Sequence, residues 1–266
     1  TTLKTNHFVE FPTFFIRNKI VMKLLDLSEN NIEILRNLNN SDYKIQYDKA
    51  IRLNYFYLKK NNLKKIEQNS ILSRFIFLTH LDLSENEITD FNNTFEYIFR
   101  LEYLNLSHNR IGILRKNFLK FTKNMKILDL CSNNIRLIES YTLENFNSLT
   151  TLYLNNNPKL LILNQTKYYG LELLRNVYLS PNKFEINNYN LISIINMFSL
   201  KFFKYLNEIN LYYSNYVDYD PKLDEYNYNQ CFSIILFIKR KIILNLKNEQ
   251  NLQLFLNNCQ NIFKNF

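Results

Sequence analysis

The chain has 266 residues and a formal net charge of +9, with 46% hydrophobic and 15% aromatic residues. This apolar content separates it from disordered chains, and its two glycines and four prolines exclude collagen-like and flexible-linker sequences. The longest apolar run, 234–238, is far shorter than the ~18 residues that a membrane helix requires, and the polar start TTLKTNH lacks signal-peptide character. We therefore expect a soluble, folded chain that is either mature or cytoplasmic.

Residues 1–20 precede the first copy of the motif LxxLxLxxNxL, which then recurs over 21–217. The asparagine position of the eight copies is filled by Asn30, Asn61, Asn86, Asn109, Asn133, Asn157, Asn182 and Ser214, the last three copies being weaker. Most steps between these positions are 23–25 residues long, and the two longer steps contain the insertions 37–48 and 191–206. A fixed period of this length predicts a solenoid of stacked repeats.

The spacing within each copy predicts one short strand in every repeat. Alternate side chains of the LxL segment point inward, so that parallel strands about 4.8 Å apart bury a continuous column of leucines. The eight strands should centre near Asp26, Tyr57, Asp82, Asn105, Asp129, Tyr153, Tyr178 and Asn210. The motif asparagine follows the strand, and its amide can pair with backbone groups that the turn would otherwise bury unsatisfied.

Apolar residues between the strands predict a second packed surface on the other side of the solenoid. Phenylalanines dominate it, among them Phe91, Phe95, Phe99, Phe118 and Phe121. The insertion 37–48 is polar and should form a loop, whereas 191–206 is dense enough in apolar residues for a helix. Both insertions should lie outside the strands.

Eight registered copies of the motif are typical of the leucine-rich repeat family, which the chain resembles over 21–217. The segments Phe8–Pro12 with Val21–Ile32, and Tyr226–Leu246, look like the flanks of the extracellular type, as in Toll-like receptor ectodomains and secreted leucine-rich repeat proteins. The resemblance implies an α/β repeat solenoid, a horseshoe with a parallel concave β-sheet and an irregular or short-helical convex side. It also implies an N-terminal cap over 1–20 and a C-terminal helical cap over 218–266.

The same resemblance implies a disulfide in the C-terminal cap. In that family one cysteine begins a helix and a later one closes the cap, positions that Cys231 and Cys259 would fill. The alternative is a pair of free, buried thiols. Cys131 stands at a strand position that serine fills in three other repeats, and it is predicted to be a tolerated small residue.

No catalytic or metal-binding constellation emerges from the sequence. His80 and His108 fall on opposite ends of neighbouring strands, about 15 Å apart, which is too far for a shared metal. HExxH, GxSxG and a glycine-rich phosphate loop are all absent, so we expect neither an enzyme nor a bound metal or cofactor. The basic run Lys239–Lys241 is short, and the positive charge forms no stripe, which argues against nucleic-acid binding.

The outward positions of the strands predict where a partner would bind. The candidate residues on this concave face are Tyr55, Tyr57, His80, Asp82, Tyr103, Asp129, Tyr153 and Tyr178. Tyrosine is enriched among binding hot spots because it offers large contact area with few rotors. The alternatives are chance placement of 19 tyrosines and, for the aspartates, the ordinary LDLS form of the family's strand. Among the Asn-x-Ser/Thr sequons, Asn39 and Asn92 should lie on the convex side, where a glycan can be accommodated.

These observations favour recognition of another protein, with no catalytic step. The leading interpretation is a secreted or extracellular, ectodomain-type binding protein that resembles receptors and soluble decoys of innate immunity. The alternative is a cytoplasmic scaffold or adaptor that holds a signalling enzyme. Repeat lengths of 23–25 residues match the extracellular type, whereas many intracellular members have shorter repeats.

Overall fold

The computed structural model describes residues 1–12, 22–36, 51–91, 95–116, 118–139, 141–160, 171–179, 208–211 and 243–246. Within these residues the chain forms short strands joined by turns. In chain order the strands are β1 Leu24–Asp26, β2 Ile34–Leu35, β3 Tyr55–Tyr57, β4 Lys65–Ile66, β5 His80–Asp82, β6 Tyr103–Asn105, β7 Ile113–Leu114, β8 Ile127–Asp129, β9 Leu137–Ile138, β10 Thr151–Tyr153, β11 Asn176–Leu179, β12 Glu208–Leu211 and β13 Ile243–Leu246.

Nine of these strands form one parallel sheet in the order β1-β3-β5-β6-β8-β10-β11-β12-β13. The eight residues predicted to centre the strands all fall in one register row, in which each residue from Asp26 to Asn210 pairs with its counterpart on the next strand. Neighbouring strands of this sheet are parallel and follow one another in chain order, so the sheet gains one strand with each repeat. The predicted parallel repeat solenoid is therefore confirmed.

The core is built from columns that run through successive repeats. The central strand residue points inward in the seven repeats whose strand side chains are described, being at most 1% exposed at Leu25, Phe56, Leu81, Leu104, Leu128, Leu152 and Val177. Leucines two residues further along, such as Leu83 and Leu106, are fully buried as well. Because each repeat contacts mainly its neighbours, the apolar surface is covered only when the repeats stack.

The motif asparagines link each repeat to the one before it. Asn109 Nδ2 donates to the carbonyl of Leu83 in the preceding repeat (2.9 Å) and to that of Leu106 in its own (3.1 Å), while its Oδ1 accepts the backbone N–H of Ile88 (2.9 Å). The same three bonds recur at Asn61, Asn86, Asn133 and Asn157. The predicted role of the asparagine in the turn is confirmed.

The first ten residues follow the course of a further repeat. Asn30 Oδ1 accepts the backbone N–H groups of Asn6 (2.9 Å) and Phe8 (3.1 Å), and its Nδ2 donates to the carbonyl of Leu3 (2.9 Å). Thr5 has a φ of 56°, in the left-handed region that the residue before the motif asparagine also adopts in the six repeats from Asn30 to Asn157. These residues lie in the predicted 1–20 flank, and they match only the LxxNx part of the motif, at Leu3 and Asn6.

Strand β13 lies inside the segment 218–266, for which a helical cap was predicted. Ile243–Leu246 pairs in parallel with Glu208–Leu211, so these four residues extend the sheet instead of forming a helix. The sequence IILNL has the apolar alternation of the other strands but lacks the asparagine that follows them. Cys231, Cys259, Asn39 and Asn92, the two insertions and the rest of both flanks lie outside the described residues.

The side opposite the large sheet is irregular, as predicted. Its described residues form turns, one 3-10 helix at Ile71–Arg74 and two small parallel sheets, β2-β4 and β7-β9. Phe95 and Phe118 are buried there, whereas Phe99 and Phe121 are 47% and 38% exposed, so the prediction that they fill this side is wrong. The connecting segments here form turns, and Ile98, next to Phe99, is fully buried in its place.

Candidate functional site

The predicted partner-binding residues lie together on the solvent side of the large sheet, which we call the sheet face. They occupy two register rows. The first row reads Leu24, Tyr55, His80, Tyr103, Ile127, Thr151 and Asn176, and the second reads Asp26, Tyr57, Asp82, Asn105, Asp129, Tyr153 and Tyr178. These side chains face outward because their neighbours in the strands point into the core. Tyr55 is 36% exposed, and the other seven candidates are half-buried.

Three aromatic rings of the first row pack against one another on adjacent strands, Tyr55 tilted by 34° against His80 and His80 stacked on Tyr103. The ring centroids of Tyr55 and His80 are 4.7 Å apart, and those of His80 and Tyr103 are 5.7 Å apart at an interplanar angle of 24°. In the second row Tyr153 and Tyr178 stack at 4.3 Å and 14°. The sequence predicted that these side chains share a face, whereas their stacking depends on the strand register. Packing ring against ring holds each side chain in place before any partner arrives.

Burial and nearby carboxylates shift the protonation of this face. Burial lowers the pKa of His80 below its usual value, with Glu102 and Lys126 acting in opposite directions, so the imidazole favours its neutral form. Burial, assisted by the charges of Asp82 and Asp129, raises the pKa of Tyr103 to about 12. The hydroxyl of Tyr103 therefore remains protonated and able to donate a hydrogen bond at neutral pH.

The aspartates of the second row also have a structural task. Asp82 Oδ1 accepts the backbone N–H of Ser84 (2.8 Å), and Asp129 Oδ1 accepts that of Cys131 (2.9 Å). Asn105 occupies the same row and makes the equivalent bond with its amide oxygen, at 3.0 Å. The need for a side-chain oxygen that accepts this backbone N–H at the end of the strand explains why aspartate or asparagine occupies the position. Aspartate and asparagine meet this need equally and differ there only in charge.

Cys131 is a free thiol beside Asp129, and no reactive role is indicated for it. Burial first, and then the charge of Asp129, raises its pKa to about 11, so it remains protonated near neutral pH. Within the described part of the chain no group of three or more histidine, cysteine, aspartate or glutamate side chains could hold a metal ion.

A surface cavity of about 440 Å³ lies beyond the asparagine turns and includes none of the predicted residues. It is lined by Thr89, Asp90, Arg110, Gly112, Ile113, Arg115, Asn134, Arg136 and Lys159. Arg110 and Arg115 are paired with Glu87 and Glu139, so half of its basic side chains are already compensated. The sheet face is therefore the better organised surface.

Comparison with known proteins agrees with this architecture. The sequence profile of the family described as leucine rich repeat matches residues 51–111 and 123–184. These two ranges of the chain are leucine-rich repeats. The matched ranges contain six of the nine strands of the large sheet, β3, β5, β6, β8, β10 and β11. Surfaces of such repeat solenoids serve macromolecular recognition, which supports protein–protein binding as the general activity of this leucine-rich repeat protein.

Several human proteins are similar to part of this leucine-rich repeat protein. Leucine-rich repeats and immunoglobulin-like domains protein 1 is 34% identical over 121 residues, covering 36% of this chain and 11% of its own length. Toll-like receptor 2 is 30% identical over 137 residues, covering 51% and 16%, and podocan-like protein 1 is 32% identical over 108 residues, covering 40% and 20%. The chain thus spans a fifth or less of these relatives. No helix among the described residues has the length and apolarity needed to cross a bilayer.

Proposed function

We propose that this leucine-rich repeat protein binds another protein through the sheet face, without catalysing a reaction. The observation that carries the proposal is the row of packed aromatic rings Tyr55–His80–Tyr103, which faces away from the leucine core on three adjacent strands. Burial in the core cannot explain these side chains. Rigid aromatic groups on a sheet lose little conformational entropy on binding, which favours them as contact residues.

The test is the loss of affinity when one of these rings is removed. With a partner captured by the wild-type chain and then purified, Tyr103→Ala or Tyr57→Ala should weaken binding by about fivefold or more, as for hot-spot residues. Tyr97→Ala is the matched control, because Tyr97 is an exposed tyrosine on a connecting turn outside the sheet face. Equal affinity of both sheet-face variants and the control would move the binding site elsewhere. Melting curves of all three variants separate lost contacts from lost folding.

We further propose a receptor-like protein of the innate-immunity kind that is secreted or extracellular. The similarity to Toll-like receptor 2 over half of the chain supports this proposal. The proposal of an extracellular protein includes a disulfide between Cys231 and Cys259 and glycans at Asn39 and Asn92. Intact mass of the natively expressed protein, before and after reduction and deglycosylation, tests these points. Three free thiols and no glycan would instead favour a cytoplasmic scaffold.

A further inference from the structure

The second row of the sheet face carries two carboxylates between tyrosines. Asp82 and Asp129 lie on β5 and β8, with Asn105 of β6 between them, and Tyr57 and Tyr153 follow on either side. We propose that this part of the sheet face binds a basic segment of the partner protein, whose arginine or lysine side chains contact Asp82 and Asp129. This inference rests on the proposed function and adds the chemistry of the partner.

Asp82 and Asp129 are among the acidic side chains of the described residues that form no ion pair, and they are the two that lie in the second row of the sheet face. Most acidic side chains in the described ranges form ion pairs, among them Glu10, Asp26, Glu29, Glu33, Glu67, Glu85, Glu87, Glu102 and Glu139. Neither Asp82 nor Asp129 has a basic partner among those residues. Lys59 is engaged mainly by Glu85, which lies 3.0 Å from its Nζ and raises its pKa more than Asp82 does, and Lys126 Nζ lies 2.7 Å from Glu102. A chain of net charge +9 therefore presents a locally negative surface here.

Each carboxylate is held in a fixed position and still has capacity to bind. One oxygen accepts the backbone N–H two residues later, which leaves the second oxygen of Asp82 for an external donor. Asp129 has the same backbone bond and in addition a hydrogen bond with the Cys131 thiol, a neutral group that does not compensate the charge. Charge-assisted bonds to such fixed acceptors are stronger than those between neutral groups.

The neighbouring tyrosines suit the same cationic group. Tyr57 and Tyr103 both lie close enough to Asp82 for its charge to raise their pKa, after the larger effect of burial. A guanidinium or ammonium group above Asp82 would therefore also meet electron-rich aromatic rings, which attract cations. Arginine fits this combination best because it can bond a carboxylate and stack on a ring at once.

The strand spacing sets the distance between the two cations. Asp82 and Asp129 are two strands apart, which corresponds to about 10 Å across the sheet. Residues seven apart on a helix are separated by about 10.5 Å along its axis and lie on the same side. A partner helix laid along the second row, with basic residues two turns apart, thus matches both carboxylates.

The chain itself supplies a substitution that removes the charge and keeps the fold. Because Asn105 makes the structural hydrogen bond of this row with an amide oxygen, Asp82→Asn and Asp129→Asn should retain the corresponding bonds. The reverse change, Asn105→Asp, places a third carboxylate between the other two. Asp90→Asn is the control, since Asp90 is exposed, lies outside the sheet face and has no ion pair among the described residues.

The experiment uses a displayed random-peptide library selected on the immobilised full chain. We expect the selected peptides to be enriched in arginine and lysine, and their affinity to fall roughly two- to fivefold for each removed carboxylate. Asn105→Asp should tighten binding, Asp90→Asn should leave it unchanged, and added salt should weaken it. Thermal melting checks that every variant is folded.

Other outcomes separate this inference from the proposed function. One such outcome is a set of selected peptides whose binding requires Tyr103 but that show no enrichment in basic residues. Another is a set whose binding requires Tyr103 but that bind Asp82→Asn and Asp129→Asn as tightly as the wild type. Either result would refute the basic partner and leave the sheet face as the binding surface. Peptides indifferent to both Tyr103→Ala and the aspartate variants would overturn both proposals. A library that yields no binder would also count against both.

Discussion

The asparagine ladder makes a quantitative prediction for Asn109→Ala. The side chain is 7% exposed and makes four hydrogen bonds, three donated by Nδ2 to the carbonyls of Leu83, Leu106 and Ser107 and one accepted by Oδ1 from Ile88. A buried hydrogen bond contributes about 1 kcal/mol net, and an N–H left without an acceptor costs more. The variant should therefore lose about 3–5 kcal/mol of unfolding free energy.

Urea unfolding followed by circular dichroism measures this loss. Because two of the four bonds reach the preceding repeat, the substitution also weakens the contact between neighbouring repeats, and we expect a broadened or two-step transition. Asn109→Asp keeps Oδ1 but brings a carboxylate against three carbonyl oxygens, so it should be at least as damaging as alanine.

Asn134→Ala is the matched control for Asn109→Ala. It deletes the same amide from an exposed side chain and should cost less than about 0.5 kcal/mol. A loss below about 1 kcal/mol for Asn109→Ala with an unchanged transition, or a well-tolerated Asn109→Asp, would refute the assigned role of the ladder.

Three further predictions concern the core and the sheet face. Leu106→Ala should lower the unfolding free energy by about 2–5 kcal/mol because the fully buried column cannot close around the gap, whereas exposed Leu173→Ala should have little effect in the same urea titration. Cys131 should be alkylated about a hundredfold more slowly than a free cysteine at pH 8, and faster in Asp129→Asn, as followed by mass spectrometry of its peptide. Burial lowers the pKa of His80, so below about pH 7 the unfolded chain binds more protons at this site than the folded chain does. As the pH falls, the melting temperature of the wild type should therefore decrease more than that of His80→Phe. Parallel pH profiles of the two melting temperatures would contradict this.

The sequence alone determined the repeat, the strand positions and the inward columns. A strand has a side-chain period of two and each motif copy carries the same LxL segment, so the positions of Leu81, Leu104 and Leu128 followed from spacing without reference to the rest of the chain. The shared face of the candidate residues followed in the same way, because parallel strands in register align equivalent positions. Strand position and inward direction are local properties that the motif specifies anew in each repeat.

The sequence did not predict the positions of segments that carry only part of the motif. Leu3–Phe8 and Ile243–Leu246 each lack half of it, and their places beside Asp26 and Glu208 depend on backbone pairing with the adjacent repeat. Phe99 and Phe121 were misplaced because the connecting turns set which side chains point inward, and turn geometry is not encoded by an apolar period.

Only the tertiary structure decided the properties of the sheet face. The packing of His80 between two tyrosines and the absence of a basic partner for Asp82 and Asp129 within the described residues depend on which side chains meet across neighbouring strands. Those contacts join residues more than twenty positions apart, and they arise only after stacking has fixed the register. A repeated motif therefore specifies the scaffold, while the variable outward residues acquire a common surface only when the repeats are assembled.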